Sequence, residues 1–545
     1  MTTSTTTWDK TSAEKRAARD ALIPKEWLIK VADDVVDVMD VPAKCGILSA
    51  AELKITETPA TVLVKKMVDK ELTSEAVTVA FCKRAAIAQQ VTNCLTEIFF
   101  EQAITDAKKI DDTYAQTGKP AGPLHGLPIS LKDNFNVRGY DTTVGFVAWC
   151  NEAAKVDAEM VKLLREQGAV LFCKTNVPTA MMIAESYNNV WNYTCSPWNR
   201  NTSSGGSSGG EGALLALKGS PLGVGTDIGG SIRIPSALSG IYGLKPSFGR
   251  FPTYGSRSGM PGQEAVRSIN GPMSSSLEAC TLFSKTVVDS EPWLRDPQCV
   301  PIPWRTVELP KQLVFGILLD NGLVRPTPPV TRALLETKKA LEAAGHKVIE
   351  WVPHALAESQ SLIERFFVGD GGAKISSTIA AGGEPWPLGL TAYQEAAEKS
   401  KATPPLVGDL WALQAERNAY TKEMLDAWNA TADATGTGRP IDGLISPVSA
   451  YASCPRYTFA HVTYTSVWNI TDQSSAVFPV TRVTEADVRP DGLGEWRNAQ
   501  EKKVWESYDP KVVVGAPVGL QVVTRRLEEE KALALAGVAA KALGK

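Results

Sequence analysis

Hydrophobic and polar positions switch along this chain between a period of two and a period near 3.6, which predicts alternating strands and helices. Residues 126–132 alternate, with Leu127, Ile129 and Leu131 on one face and Ser130 and Lys132 on the other, the pattern of a strand. Residues 73–90 read as a helix: Val77, Ala80, Phe81 and Arg84 share a face, Thr73 is placed to cap it, and Glu75 suits its first turn. Residues 96–100 form a short strand, and residues 101–115 a helix ending at Gly118. Asp157 is placed to cap a helix through Val161, Leu163 and Leu164 that stops at Gly168, and residues 169–174 follow as a buried strand. Residues 313–319, 331–344 and 347–352 repeat the unit as strand, helix, strand. Residues 10–22 favour helix and stop before Pro24, and residues 527–543 carry the Ala, Leu, Glu and Lys content of a strong terminal helix. Residues 253–312 and 365–410, rich in Pro and Gly, are expected to be long excursions over the core.

This alternation predicts an α/β protein whose sheet is covered by helices. No internal repeat or clear linker divides it. The expected organisation is an N-terminal helical arm, residues 1–69, packed on one large unit, residues 70–545.

Composition narrows the function without naming it. Lys plus Arg is 57 and Asp plus Glu is 60, a net charge of −3, with no basic run. That balance argues against nucleic acid or an anionic membrane as partner. The first eight residues, Met-Thr-Thr-Ser-Thr-Thr-Thr-Trp, lack the basic and apolar regions of a signal peptide. No run of eighteen apolar residues occurs, so a cytoplasmic protein is expected. Nine scattered cysteines contain no Cys-x-x-Cys pair, which suggests neither zinc nor a disulfide framework; they read as reduced thiols. Histidine occurs only at 125, 346, 354 and 461, so a catalytic base of another type has to be considered.

The candidate chemistry lies between residues 201 and 235. Gly205-Gly-Ser207-Ser208-Gly-Gly-Glu211-Gly-Ala and Gly225-Thr-Asp227-Ile228-Gly229-Gly230-Ser231-Ile-Arg233-Ile-Pro set serine-bearing glycine turns on either side of Leu214-Leu215-Ala216-Leu217. Glycine there permits positive φ and lets other atoms approach the backbone, so the turns read as N–H groups aimed at a ligand. Three readings compete. A phosphate cradle lacks the Gly-x-x-x-x-Gly-Lys-[Ser/Thr] pattern, and Glu211 would repel the phosphate. An α/β-hydrolase elbow fits Gly205-x-Ser207-x-Gly209, but the preceding residues cannot form the strand that motif needs. The third is a Ser231 nucleophile activated by a lysine, with Lys132, at the end of its strand and before Asp133-Asn134, as the candidate. Spacing alone does not tie Lys132 to Ser231.

These segments resemble the signature of the amidase signature family. Gly126-Leu-Pro-Ile-Ser-Leu-Lys-Asp precedes the two glycine turns in the same order, with 75 residues between Lys132 and Ser207 and 24 between Ser207 and Ser231. Lys174-Thr-Asn-Val-Pro, Gly243-Leu-Lys-Pro, Asp442-Gly-Leu-Ile-Ser-Pro and Gly515-Ala-Pro-Val-Gly-Leu-Gln are further family-like pieces, reaching from about residue 70 to the end. Gly46-Ile-Leu-Ser-Ala-Ala-Glu, Phe81-Cys-Lys-Arg-Ala-Ala-Ile-Ala-Gln-Gln and Pro301-Ile-Pro-Trp-Arg resemble the fungal acetamidase branch.

The resemblance implies a large mixed β-sheet surrounded by helices, and a cofactor-free, metal-free hydrolase of small carboxylic amides working through an acyl-enzyme. It implies Ser231 as nucleophile, Ser207 in a cis peptide as proton bridge, and neutral Lys132 as base. Backbone N–H groups of Ile228, Gly229, Gly230 and Ser231 would receive the oxyanion. Ser208, Asp227 and Arg233 would hold the turns by hydrogen bonds, and Met181 falls where the family contacts substrate. Acyl-pocket residues are expected among 140–150, 181–195 and the excursions after 253. Aryl amides, indole acetamide and carbamates are open alternatives to acetamide, as is an esterase using Ser207. A silent scaffold and a transamidating subunit are rivals from other classes. The expected partner is a small amide, with a homodimer open.

Overall fold

The computed structural model describes residues 7–545 and carries eleven strands in one sheet. They are β1 (Leu95–Ile98), β2 (Pro128–Lys132), β3 (Val170–Thr175), β4 (Gly223–Asp227), β5 (Tyr242–Lys245) and β6 (Ile269–Ser274). The second half adds β7 (Val314–Ile317), β8 (Lys347–Glu350), β9 (Gly443–Pro447), β10 (Ser475–Arg482) and β11 (Pro517–Val523). The order is β1-β3-β2-β4-β6-β5-β10-β11-β9-β7-β8. Two parallel groups, β3-β2-β4 and β9-β7-β8, are joined through antiparallel neighbours, so the sheet is mixed and covered by helices, as expected.

Strand residues in the centre are buried on both faces, so β2, β3, β4 and β11 show no exposed side chain. One apolar cluster runs from Leu63 and Met67 through Ile129, Leu131 and Val224 to Leu520, Val522 and Leu535. A second joins the N-terminal segment to the body, placing Ile23, Trp27 and Val38 against Ala85, Phe100 and Phe172.

The elements read from periodicity occur with ends shifted by a few residues. The helix Ser74–Thr92 is capped by the Thr73 side chain, and the helix Phe100–Thr117 ends on Gly118 at φ 65°. Three expectations fail. Residues 253–312 are not an excursion over the core: they supply β6, a buried strand between β4 and β5, and the helix Leu277–Asp289. Asp157 does not cap the helix Glu159–Glu166, whose N-cap is Ala158; its carboxylate accepts instead from the Arg138 N–H and pairs with Arg165. The region 365–410 is not an irregular excursion: helices Leu356–Phe367, Ala373–Gly382, Thr391–Ser400 and Val407–Ala430 occupy or overlap it. Most of its glycines and prolines fall between these helices, for example Gly371 and Gly372, both at positive φ.

Candidate active site

Lys132 ends β2 and Asp227 ends β4. These strands are parallel neighbours, with Ser130 opposite Gly223 and Leu131 opposite Val224, so both chains leave the sheet at the same carboxyl edge. That edge is where α/β sheets present ligand sites. Beyond β4 the chain makes the turn 228–232 and enters the helix Arg233–Ser239, which places Ser231 over the edge.

Lys132 is fully buried. Its Nζ lies 2.7 Å from Ser207 Oγ, 2.8 Å from Thr226 Oγ1 and 3.3 Å from the Thr226 carbonyl oxygen. All its contacts are neutral dipoles. Burial lowers its pKa from the ordinary lysine value to about 7, against the weaker pull of Asp227 and Glu211. An amine with that pKa is about half unprotonated, and so available as a base, at neutral pH.

Ser207 follows a cis Gly206–Ser207 peptide. A Cβ at Gly206 would lie 2.6 Å from the Glu185 nitrogen, so only glycine lets these two backbones meet. Ser186, which the sequence did not single out, holds this turn: its hydroxyl accepts from Gly209 N–H at 2.9 Å and donates to the Gly205 carbonyl at 3.2 Å. No strand leads into Ser207; residues 196–206 hold only isolated bridges, so the elbow geometry is absent.

Ser231 opens on a cavity of about 250 Å³ whose walls include Met181, Ile228, Gly229, Phe367 and Tyr393. Its hydroxyl makes no hydrogen bond to the described protein groups, while its carbonyl accepts from Ser208 N–H at 3.1 Å. Ala180 and Met181 both hold φ 61°, a conformation that costs roughly 1–3 kcal/mol per non-glycine residue. This turn sets the Met181 side chain in the cavity wall. Of the loops expected to shape the pocket, 181–184 do so directly. Residues 140–150 do not line it; Val144 and Phe146 pack behind Met181 and Tyr393.

Asp227 and Arg233 form a buried double hydrogen bond, Nε to Oδ2 and Nη2 to Oδ1, both 3.0 Å. The carboxylate also accepts from Asn469 Nδ2 at 2.9 Å, Gly230 N–H at 2.8 Å and Ile232 N–H at 3.1 Å. Burial alone would raise its pKa, but Arg233 and Asn469 hold it well below the carboxylate range. This corrects one expectation. The Gly230 N–H is turned inward to Asp227, so it does not face the cavity. Its missing Cβ instead makes room for Thr465, whose hydroxyl donates to the Gly229 carbonyl at 2.7 Å. The N–H groups of Ile228, Gly229 and Ser231 carry no such partner among the described residues. Ser208 braces the neighbouring strand, its hydroxyl 3.3 Å from both the N–H and the carbonyl of Thr226.

Glu211 has a different place from the one its sequence context suggested. Its carboxyl does not face the turn but lies beneath it, accepting from Ser130 at 2.7 Å and Thr175 at 3.0 Å. Burial raises it to about 8, so the group is mostly a neutral acid at pH 7. Thr226 is the main residue that sequence reading missed, although it lies inside the quoted Gly-Thr-Asp motif. Among the described residues no group of three or more His, Cys, Asp and Glu side chains converges to hold a metal. No described helix is long and apolar enough to cross a membrane.

Solved proteins share this architecture. A solved fatty acid amide hydrolase superposes with a TM-score of 0.92 at 32% identity, covering 99% of this chain and 96% of that one. A 6-aminohexanoate cyclic dimer hydrolase shares the fold at a TM-score of 0.73 and 22% identity, covering 90% of this chain and 98% of that one. The family model described as Amidase matches residues 76–533, and the chain belongs to that family of amide-hydrolysing enzymes. It is similar to an acetamidase of Emericella nidulans, 41% identical over 550 residues and 98% of each chain. It is also similar to an acetamidase of Aspergillus oryzae, 39% identical over 98% of this chain and 99% of that one.

Proposed function

We propose that this amidase hydrolyses small carboxylic amides through an acyl-enzyme on Ser231, with Ser207 as proton bridge and Lys132 as base. The observation that carries the reading is the wholly buried Lys132 amine, 2.7 Å from Ser207 Oγ and free of any carboxylate contact. Ser231 Oγ attacks the amide carbonyl carbon while its proton passes to Ser207 Oγ, and the Ser207 proton passes to Lys132. This requires the Ser231 hydroxyl to rotate onto Ser207 when substrate enters, a tightening common in serine sites. The oxyanion is received by the N–H groups of Ile228, Gly229 and Ser231. Collapse breaks the C–N bond, and the relay runs backward to protonate the departing ammonia or amine. Water then enters with the same base and releases the carboxylate.

The acetamidase relatives support small aliphatic amides as substrates. The cavity supports a second reading of the acyl group. At about 250 Å³, walled by Met181, Ile183, Phe367 and Tyr393, it holds an acyl group much larger than acetyl, aliphatic or aryl. Mass spectrometry after a fluorophosphonate and a slow ester tests the chemistry, with Ser231 as the modified residue. An adduct on Ser207 would overturn it. Comparing kcat/KM for acetamide, a longer aliphatic amide, an aryl amide and a carbamate tests the substrate class.

A further inference from the structure

A second cavity, of about 340 Å³, is lined by Asn469, which donates to Asp227 at the start of the turn that carries Ser231. It is bounded by the end of β5, the segment 264–267, the helix Val407–Ala430, residues 469–472 and Arg526. Four cations border it: Lys245, Arg267, Arg417 and Arg526. Only two carboxylates do, and each is taken up by one of them. Glu264 pairs with Arg267 at 2.9 Å, and Asp472 with Arg526 at 2.6 Å.

The other two cations have no carboxylate within ion-pair distance among the described residues. Lys245 is 1% exposed and spends its Nζ on the carbonyls of Gln473, at 2.7 Å, and Pro246, at 3.3 Å. Arg417 donates to the Ala265 carbonyl and to Asn418 Oδ1, the latter at 2.9 Å. Burial works against both charges. It lowers Lys245 to about 8, opposed chiefly by Asp472, and lowers Arg417 as well. Two cations without a directly paired carboxylate in one concave site are costly to hold empty, and an anion with several acceptor oxygens offsets that cost.

We propose that this cavity is a binding site for a small multivalent oxyanion of the phosphate class, distinct from the amide site. Carboxylates and phosphates share the acceptor chemistry, but the excess of two positive charges favours a doubly charged group. Phe248, Ala265 and Ile470 complete the lining. The site is joined to the catalytic turn through Asn469. That residue lines the cavity, donates to Asp227 Oδ1 at 2.9 Å and accepts from Arg233 Nη2 at 2.5 Å. Asp227 in turn holds Gly230 N–H, one residue before Ser231. An occupant touching Asn469 therefore acts on the turn that presents the serine.

The proposal does not depend on the acyl-enzyme reading, because binding is measured without substrate. Inorganic phosphate is titrated into the full-length protein at constant ionic strength, by calorimetry and thermal melting, with chloride and acetate in parallel. The expected result is saturable 1:1 binding of phosphate, weaker binding of acetate, and none of chloride. Arg417→Gln and Arg526→Gln lie on separate segments, so one remains informative if the other folds poorly. Either should weaken phosphate at least tenfold while kcat without phosphate stays within about twofold. Binding that is absent, equal for chloride, or unchanged in both variants overturns the site. A phosphate-dependent change in kcat/KM that Asn469→Ala removes is the expected sign of coupling. Saturable binding with no such change overturns the coupling and leaves the site.

Discussion

The Lys132 amine sits wholly buried among hydroxyls and a carbonyl, and this sets how the proposed activity varies with pH. Its pKa is lowered to about 7, so protonation below that value removes the base. We predict that kcat/KM rises with pH along a single limb centred near pH 7 and reaches a plateau above it. Lys132→Ala should abolish the limb. Lys132→Arg should fail equally, because a guanidinium keeps its proton throughout this range. Near-normal acylation of Ser231 in Lys132→Arg would reduce Lys132 to a fixed charge. Ser231→Ala should lower kcat by roughly 10⁴- to 10⁶-fold, the scale of losing a serine nucleophile, with the fold intact by circular dichroism. Retention of several per cent of the activity would place the nucleophile elsewhere. Histidine replacements form the control. His125 is buried, takes the Ala121 N–H on Nδ1 at 3.0 Å and meets the Tyr114 ring edge-on at 4.8 Å. His125→Asn should keep most of kcat, and a hundredfold loss would contradict a lysine base.

At the scale of elements, the site depends on a strand, a turn and a helix held together by one buried ion pair. Asp227 ends β4 and Arg233 begins the next helix, and their double hydrogen bond closes the turn between them. Removing one partner leaves the other charge buried and unpaired, which costs about 3–5 kcal/mol. Asp227→Asn should therefore lower unfolding stability by about that amount in urea, and reduce kcat more than it raises KM. A loss under about 1 kcal/mol would mean that the pair behaves like an exposed one. Phe367 ends its helix in the wall between the Ser231 cavity and a neighbouring one of about 360 Å³. Phe367→Ala joins the two, and kcat/KM should shift toward longer acyl chains relative to acetamide. An unchanged ratio across an acyl-length series would show that the acyl group leaves the site by another route.

Across the whole molecule, we propose that residues 7–69, the described part of the expected arm, are fastened to a catalytic unit of residues 70–545. The helix Thr7–Ala21 supports this reading through its charges. Lys15 reaches both Glu97 and Asp141 at 2.8 Å, and Arg19 donates to the Leu95 carbonyl at 2.9 Å. Glu97 lies in β1 at the edge of the sheet, so the helix covers that edge. Lys15→Met should destabilise the protein by up to about 3 kcal/mol, because two buried carboxylates lose their cation. A melting temperature unchanged by the substitution would show that the arm is held by its apolar contacts alone.

What the sequence determined by itself is what short-range physics encodes. Alternation gave β2, a continuous apolar run gave β3, helical spacing and the Thr73 cap gave the helix Ser74–Thr92, and the glycine turns pointed to Ser207 and Ser231. It did not reveal β4, because Gly223–Asp227 lies inside a glycine-rich motif that reads as a turn and lacks apolar alternation. Only the tertiary structure decided that β2 and β4 are parallel neighbours, and this adjacency brings Lys132 to Thr226, 94 residues away. It also decided which N–H groups face the cavity: Asp227 captures Gly230, while Phe367 and Tyr393 arrive from helices whose periodicity was obscured by prolines and glycines. Local propensity acts over one or two turns of chain. Burial, and with it the lowered lysine pKa, arises only when distant segments exclude water from the same few ångströms.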